Sequence, residues 1–548
     1  MDILLAVLEQ GFIFSIVCFG VYITYKILDF PDLSVDGTFP LGAAVAAAFL
    51  VKGYSPVLSS LIALIAGAIA GGITGILHVK FKITNLLSGI LVMVGLYSIN
   101  LRIMGKSNIP LFNKAHLFSD TMNPIIIITM FLLICKIALD LFLKTKAGFI
   151  LKATGDNEQL VLSLGVNKDL IKIIGLMISN ALVALGGALM AQYQGFSDVG
   201  MGTGIVVMGL ASVIIGESLF GRIKALNATT RVLLGALVYK LAVSMALTVG
   251  LAPTDLKLVT AVIVVIALSL NKSPLKIMKK QKTKEGGILN ASNTKSAQSV
   301  NENNLFNDLN LDVKEGDFIT IIGSNGAGKS TLLNMISGSI KPDQGKINLE
   351  DKDITFSKEY EVSKYIGRVF QDPSKGTAPS MTILENMSMA ENKGKRFGLT
   401  LGINKKKTYN FIDMLKELNL GLEDKLNVTV GSLSGGQRQA LSLIMIAMNK
   451  PKVLLLDEHT AALDPKTSKR IIEITEKIIE EEKITALMVT HDLNQAINVG
   501  NRLKMMHKGK VVLDMKGEEK KSLTKEKLLK CFENLNIEDG LSDRTLFS

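Results

Sequence analysis

Apolar residues fill the first half of the chain in stretches too long and too even to be the buried face of a soluble helix. They lie near 4–27, 36–52, 55–78, 83–104, 123–143, 171–193, 203–220, 229–250 and 256–270, and a helix needs roughly 20 such residues to cross a bilayer. The pattern predicts eight or nine spans, two of them short enough to be re-entrant or broken. Residues 272–304 break it with a polar run rich in Lys, Ser and Asn, which reads as a linker. Beyond them, short β-branched runs such as DFITIIG (317–323) and KVLLLD (452–457) alternate with helical stretches, as in an α/β domain with a largely parallel sheet. The expected fold class is therefore multi-domain: an all-α polytopic membrane domain over 1–271, a linker over 272–304 and an α/β domain over 305–548.

Composition supports this division. The 548 residues are 48% hydrophobic and carry a net charge of +12, with a mean hydropathy of +0.35. Many of the cations sit in short loops: Lys144, Lys146, Lys152, Lys168 and Lys172, then Arg222 and Lys224, then Lys276, Lys279, Lys280, Lys282 and Lys284. These groups fall on one side if the last four spans alternate, which fits the positive-inside bias better than a nucleic-acid partner. Lys106 and Lys114 fall on the other side. The first 20 residues lack a basic start and an Ala-x-Ala site, and so read as a retained helix rather than a leader. Cys18, Cys135 and Cys531 are isolated in sequence and imply no disulfide framework or metal site.

The spans also contain small residues and scattered polar groups. GAIAGGITG (67–75) and NALVALGGALMAQ (180–192) are expected to pack helices closely. Asn180, Gln192, Gln194, Glu217 and Lys240 either line a substrate route or hydrogen-bond helix to helix.

The second half carries the chemistry. Gly323, Ser324, Asn325, Gly326, Ala327, Gly328, Lys329, Ser330 and Thr331 follow the strand DFITIIG and open a helical run. Such a loop wraps phosphates with backbone amides and a helix N-terminus, while its Lys reaches the β/γ-phosphates and its Ser ligates Mg²⁺. In KVLLLDEH a greasy strand delivers Asp457 to the metal and Glu458 to a water, where a carboxylate orients the nucleophile and accepts its proton.

Between these motifs stands LSGGQ, Leu433 to Gln437, and here the sequence closely resembles the ABC (ATP-binding cassette) ATPases over roughly 305–530. The resemblance implies ATP and Mg²⁺ as cofactors. It implies that Ser434, Gly435, Gly436 and Gln437 bind the γ-phosphate held by a partner subunit, and that Gln371 in VFQDP touches the metal and couples to the membrane domain. It likewise implies that Asp464 in AALDP lies at a dimer interface and that His491 in VTHD contacts the γ-phosphate. The family's aromatic residue that stacks on adenine has no counterpart near Lys295 or Ser296, which puts nucleotide affinity or base selectivity in doubt.

DLSVDGTFPLGAA (32–44), GFILKATGDNEQLVLSLGVN (148–167) and SNALVALGGALMAQYQGFSD (179–198) look like bacterial importer permeases of the branched-chain amino acid and ribose group. They look closer to those paired with tryptophan/tyrosine-type binding proteins. ENMSMAENKGKRFGL (385–399) and LLLDEHTAALDP (454–465) look like the ATPases of the same systems. The stretch 148–167 is either a long interhelical loop or, the favoured reading, holds a coupling helix around Asn157 to Leu164 that docks near Gln371. The resemblance implies ATP-driven import of a small solute, with aromatic amino acids favoured, in the cytoplasmic membrane with the ATPase in the cytoplasm. It further implies a homodimer with an extracellular solute-binding lipoprotein, while the placement of the cations already argues for no nucleic acid. Phe39, Tyr97, Tyr193 and Phe196 either shape the solute route or pack. Export and mechanotransmission without a solute are the alternatives. His459, after the Asp-Glu pair, lacks further ligands at metal spacing and is redundant as a base beside Glu458, so it marks a subgroup rather than a catalyst.

Overall fold

The computed structural model describes residues 2–118, 123–250 except Lys224, a few positions of 252–265, and 305–539 except 307 and 308. Most of the stretch at 256–270, and the 272–304 linker with Lys295 and Ser296, lie outside the described residues. The chain forms two compact units, one of residues 1–156 with 168–286, the other of 157–167 with 287–548.

The first unit is helical. Its elements are α1 (Asp2–Tyr22, continued by a π-helical turn at Ile23–Ile27), α2 (Val35–Val51), α3 (Pro56–Val79), α4 (Asn85–Met104), β1 (Asn108–Pro110), α5 (Pro124–Leu143) and α6 (Lys146–Asp156). After α7 (Glu158–Ser163), which belongs to the second unit, come α8 (Lys168–Gln194), β2 (Phe196–Asp198), α9 (Ile205–Phe220) and α10 (Ala228–Thr248). Among the described residues eight helices overlap the apolar runs, but the expected eight or nine spans are not all met. Among the described residues six stretches are long and apolar enough to cross a membrane, while α2 and α9 are shorter.

Helix α8 is the centre of this unit. A methyl group on Gly42 of α2 would lie 1.9 Å from the Ala184 carbonyl oxygen, and one on Gly71 of α3 would lie 2.2 Å from that of Leu176. The backbones meet because these positions have no side chain, which is how helices associate where lipid offers no hydrophobic drive.

Three of the five polar residues of the spans bond to other segments. Asn180 Nδ2 donates to Asp32 Oδ2 at 2.8 Å, Gln192 Nε2 to Ser60 Oγ at 2.8 Å, and Arg231 Nη1 meets Glu217 Oε2 at 3.0 Å. Lys240 lies over the Phe14 ring, 5.1 Å from its centre, and Gln194 is exposed. The aromatics are dispersed: Phe39 is buried, Tyr97 is exposed, Tyr193 donates to Glu9 at 2.8 Å, and Phe196 sits in β2.

The second unit is α/β. Its six-stranded sheet has the order β10-β9-β3-β8-β7-β6. The strands are β3 (Phe318–Gly323), β6 (Ile366–Val369), β7 (Val453–Asp457), β8 (Thr485–Val489), β9 (Arg502–His507) and β10 (Lys510–Lys516). Only β10 runs antiparallel, against β9. β3 and β8 are buried along their whole length, as a sheet covered on both faces requires. A separate antiparallel pair is formed by β4 (Asn348–Leu349) and β5 (Lys352–Asp353).

Candidate functional site

Strand β3 is followed by a loop that only glycine can build. Gly326 and Gly328 have φ of +81° and +96°, in the left-handed region where a side chain is strained. At Gly323 an added methyl group would lie 2.2 Å from the Met506 carbonyl oxygen. Helix α11 (Lys329–Ile336) then starts at Gly328 with no side-chain cap, so its first amides point into the loop as an anion site. Lys329 Nζ donates to the carbonyls of Gly323 at 2.7 Å and Ser324 at 3.0 Å. Burial pulls its pKa down from the usual lysine value, and the charge of Glu458 opposes that pull. A cation held only by carbonyl oxygens is a ready partner for phosphate.

Three neighbouring parallel strands deliver the remaining groups at their C-terminal ends, the usual ligand edge of such sheets. Gln371 follows β6, Glu458 follows β7 and His491 follows β8. Gln371 Nε2 donates to Glu458 Oε2 at 2.9 Å, and His491 Nε2 lies 2.6 Å from Glu458 Oε1. Glu458 adopts φ +44°, sparsely populated for a side chain with a Cβ, and its amide donates to Val489 O at 3.0 Å. Residues 87 and 33 positions from Glu458 in sequence thus converge on one carboxylate.

Asp457, beside it, is held by a residue that sequence reasoning did not single out. Arg368 Nη2 pairs with Asp457 Oδ2 at 2.8 Å, and Arg368 Nη1 donates to Asn334 Oδ1 of α11 at 2.7 Å. The available signal was an arginine inside the apolar strand YIGRVF, since a charge taken out of water requires a partner.

The remaining motif residues lie elsewhere in the unit. Ser434 caps the helix Gly435–Ala447, accepting from Gln437 N at 3.3 Å, and Gln437 Oε1 accepts in return from Ser434 N at 3.3 Å, a capping box. Among the described residues, no hydrogen bond joins Ser434–Gln437 to the 323–331 loop. Asp464 caps the helix Pro465–Glu482, accepting from Thr467 N at 3.1 Å, and Thr467 holds its carboxyl below the ordinary value.

His459 is 2% exposed. Its Nε2 lies 3.3 Å from Thr475 Oγ1, which gives its own proton to Ile471 O at 2.7 Å, so Nε2 is the donor. Burial pushes its pKa down to about 4, leaving a neutral internal strut. No group of three or more His, Cys, Asp or Glu forms a metal cage among the described residues.

Residues 157–167 pack within this second unit. Asn157 caps α7, accepting from the amides of Gln159 and Leu160, and donates from Nδ2 to the carbonyls of Ser374 at 2.7 Å and Thr377 at 2.8 Å. The turn it grips, Pro373–Gly376, begins two residues after Gln371. Leu160, Val161 and Leu164 are buried, and Gly394 N donates to Leu164 O at 3.2 Å.

Comparison with known proteins matches two successive stretches of the chain, the first of which takes in residues 157–167. Residues 3–269 match the family model for the permease component of branched-chain amino acid transport systems, and residues 306–461 match the ABC transporter model. The chain is 52% identical over 284 residues to the tyrosine transport system permease protein of Clostridioides difficile, covering 50% of this chain and 96% of that one. It is 54% identical over 231 residues to the tyrosine transport ATP-binding protein of the same organism, covering 42% of this chain and 92% of that one. An uncharacterised protein of Rickettsia prowazekii is 38% identical over 278 residues, covering 49% of this chain and 98% of that one.

Proposed function

The chain belongs to the ABC transporters, with a permease of the branched-chain amino acid type and an ATPase on one polypeptide, and from that premise we propose that it imports an aromatic amino acid. The observation that carries the solute is the pair of relatives named for tyrosine transport, each matched over more than nine-tenths of its length. The proposed assembly is a homodimer in the cytoplasmic membrane, served by an external solute-binding protein.

In this reading ATP lies on the 323–331 loop, with Lys329 leaving its carbonyl partners for the β/γ-phosphates. Ser330, Gln371 and Asp457 offer the oxygen donors that a hard cation takes, and Mg²⁺ would supply charge neutralisation of the phosphates there. Glu458 orients the attacking water and accepts its proton, and His491 meets the γ-phosphate. The hydrogen bond from Gln371 and the 2.6 Å approach of His491 to Glu458 support these roles, because both side chains already converge on the base. Ser434 and Gly436 serve the partner's nucleotide, consistent with the lack, among the described residues, of hydrogen bonds from that turn to its own loop. Asp464 lies where the two cassettes meet. Closure on ATP and reopening after hydrolysis move residues 157–167, which are continuous with α6 and α8.

Vesicles carrying the full chain, with ATP inside and a candidate binding protein outside, test the reading. Labelled tyrosine is expected to accumulate against its gradient. Absence of accumulation for tyrosine, phenylalanine and tryptophan alike would remove the proposed solute class.

A further inference from the structure

Beyond the Gln371 route, a second polar path joins α7 to the nucleotide site. Gln159 Nε2 donates to Glu359 Oε1 at 2.8 Å. The same oxygen accepts from Ser339 Oγ at 2.7 Å. Ser339 Oγ lies 3.1 Å from Ser337 Oγ, which accepts from Arg368 Nη1 at 3.3 Å. Arg368 Nη2 closes the path on Asp457 Oδ2 at 2.8 Å.

The proton directions are consistent along the path. Ser339 spends its hydrogen on Glu359, so between the two serines Ser337 is the donor, a role its hydroxyl shares with a 3.1 Å contact to Asn334 O. Every donor from Arg368 onward points toward Glu359, and hydrogen bonds aligned in this way polarise one another. Gln159, Ser337, Glu359 and Arg368 also line one small cavity with Phe370, whose ring lies 5.0 Å from the Arg368 guanidinium. Because Arg368 also binds Asn334 on α11, its plane is fixed by the loop helix, by Phe370 and by Asp457 together.

We infer that Arg368 is a positioning residue through which the docking of residues 157–167 sets Asp457, by way of Gln159, Glu359, Ser339 and Ser337. The inference rests on the proposal that this segment couples hydrolysis to transport and that Asp457 faces the metal. It makes the metal-side carboxylate, and not only Gln371, sensitive to the docked segment.

A mutant cycle in the full chain, reconstituted in vesicles, tests it. Gln159→Ala and the pair Ser337→Ala with Ser339→Ala should each slow ATP hydrolysis about threefold, a typical size for coupling positions. The triple variant should be no slower than either. The Mg²⁺ concentration for half-maximal hydrolysis should rise in all three, with ATP binding in EDTA unchanged, a readout that simple loss of packing would not move. Ser339→Ala alone, at an exposed position, serves if the pair fails to fold. Additive effects in the triple variant, or an unshifted Mg²⁺ dependence, would overturn the inference. If the unmodified protein hydrolyses ATP but moves no solute, the transport reading fails instead.

Discussion

Both units hold polar groups in apolar surroundings, but they use them in opposite ways. In the membrane unit Asn180 and Gln192 have no exposed surface and bond to Asp32 and Ser60 on other segments. In the cassette, Gln371 bonds to Glu458 and His491 lies against the same carboxylate at the open edge of the sheet, and His491 is 41% exposed. A polar group sealed against a fixed partner stabilises one arrangement. A polar group that can exchange its partner for a ligand performs chemistry.

The largest test of that contrast is Glu458→Gln. Replacing the base should lower ATP turnover by at least about 100-fold, the low end for general base catalysis, while ATP binding persists. Hydrolysis at the original rate would move the chemistry elsewhere. Asn180→Leu tests the sealed side. Leaving Asp32 without this donor should cost about 1–3 kcal/mol, the price of an unmet buried partner, read as a lower thermal midpoint in detergent with little change in hydrolysis per folded molecule.

His459 gives a pH effect that vanishes at neutral pH. Its folded pKa of about 4 is depressed from 6.5 by burial, so between those values the unfolded chain takes up a proton that the folded chain refuses. Stability is therefore unaffected above pH 6.5 and falls as pH drops toward 4, by at most about 3 kcal/mol. In His459→Gln the thermal midpoint should fall less between pH 7 and pH 5 than in the original protein. Equal losses would mean that the imidazole is reached by water.

Much of the cassette is legible in the sequence because its motifs are local. A glycine loop, a strand ending in Asp-Glu and a cap at Ser434 are each specified by fewer than a dozen consecutive residues. Arg368 was missed because its meaning lies in Asp457, Asn334 and Ser337, none adjacent in sequence. The same holds for Asn180, whose partner Asp32 lies 148 positions away in a loop.

Hydropathy alone determined the helical membrane part, because about 20 apolar residues in a row have few other stable environments. Motif spacing alone determined the ATPase, because the loop's backbone angles require glycine where glycine stands. Tertiary structure decided that residues 157–167, which lead into α8, pack with the cassette. It also decided that Gln371 and His491, from the ends of separate strands, meet at the carboxylate of Glu458. Both outcomes depend on contacts between segments far apart in the chain, and the free energy of such contacts is a property of the packed arrangement that no local pattern contains.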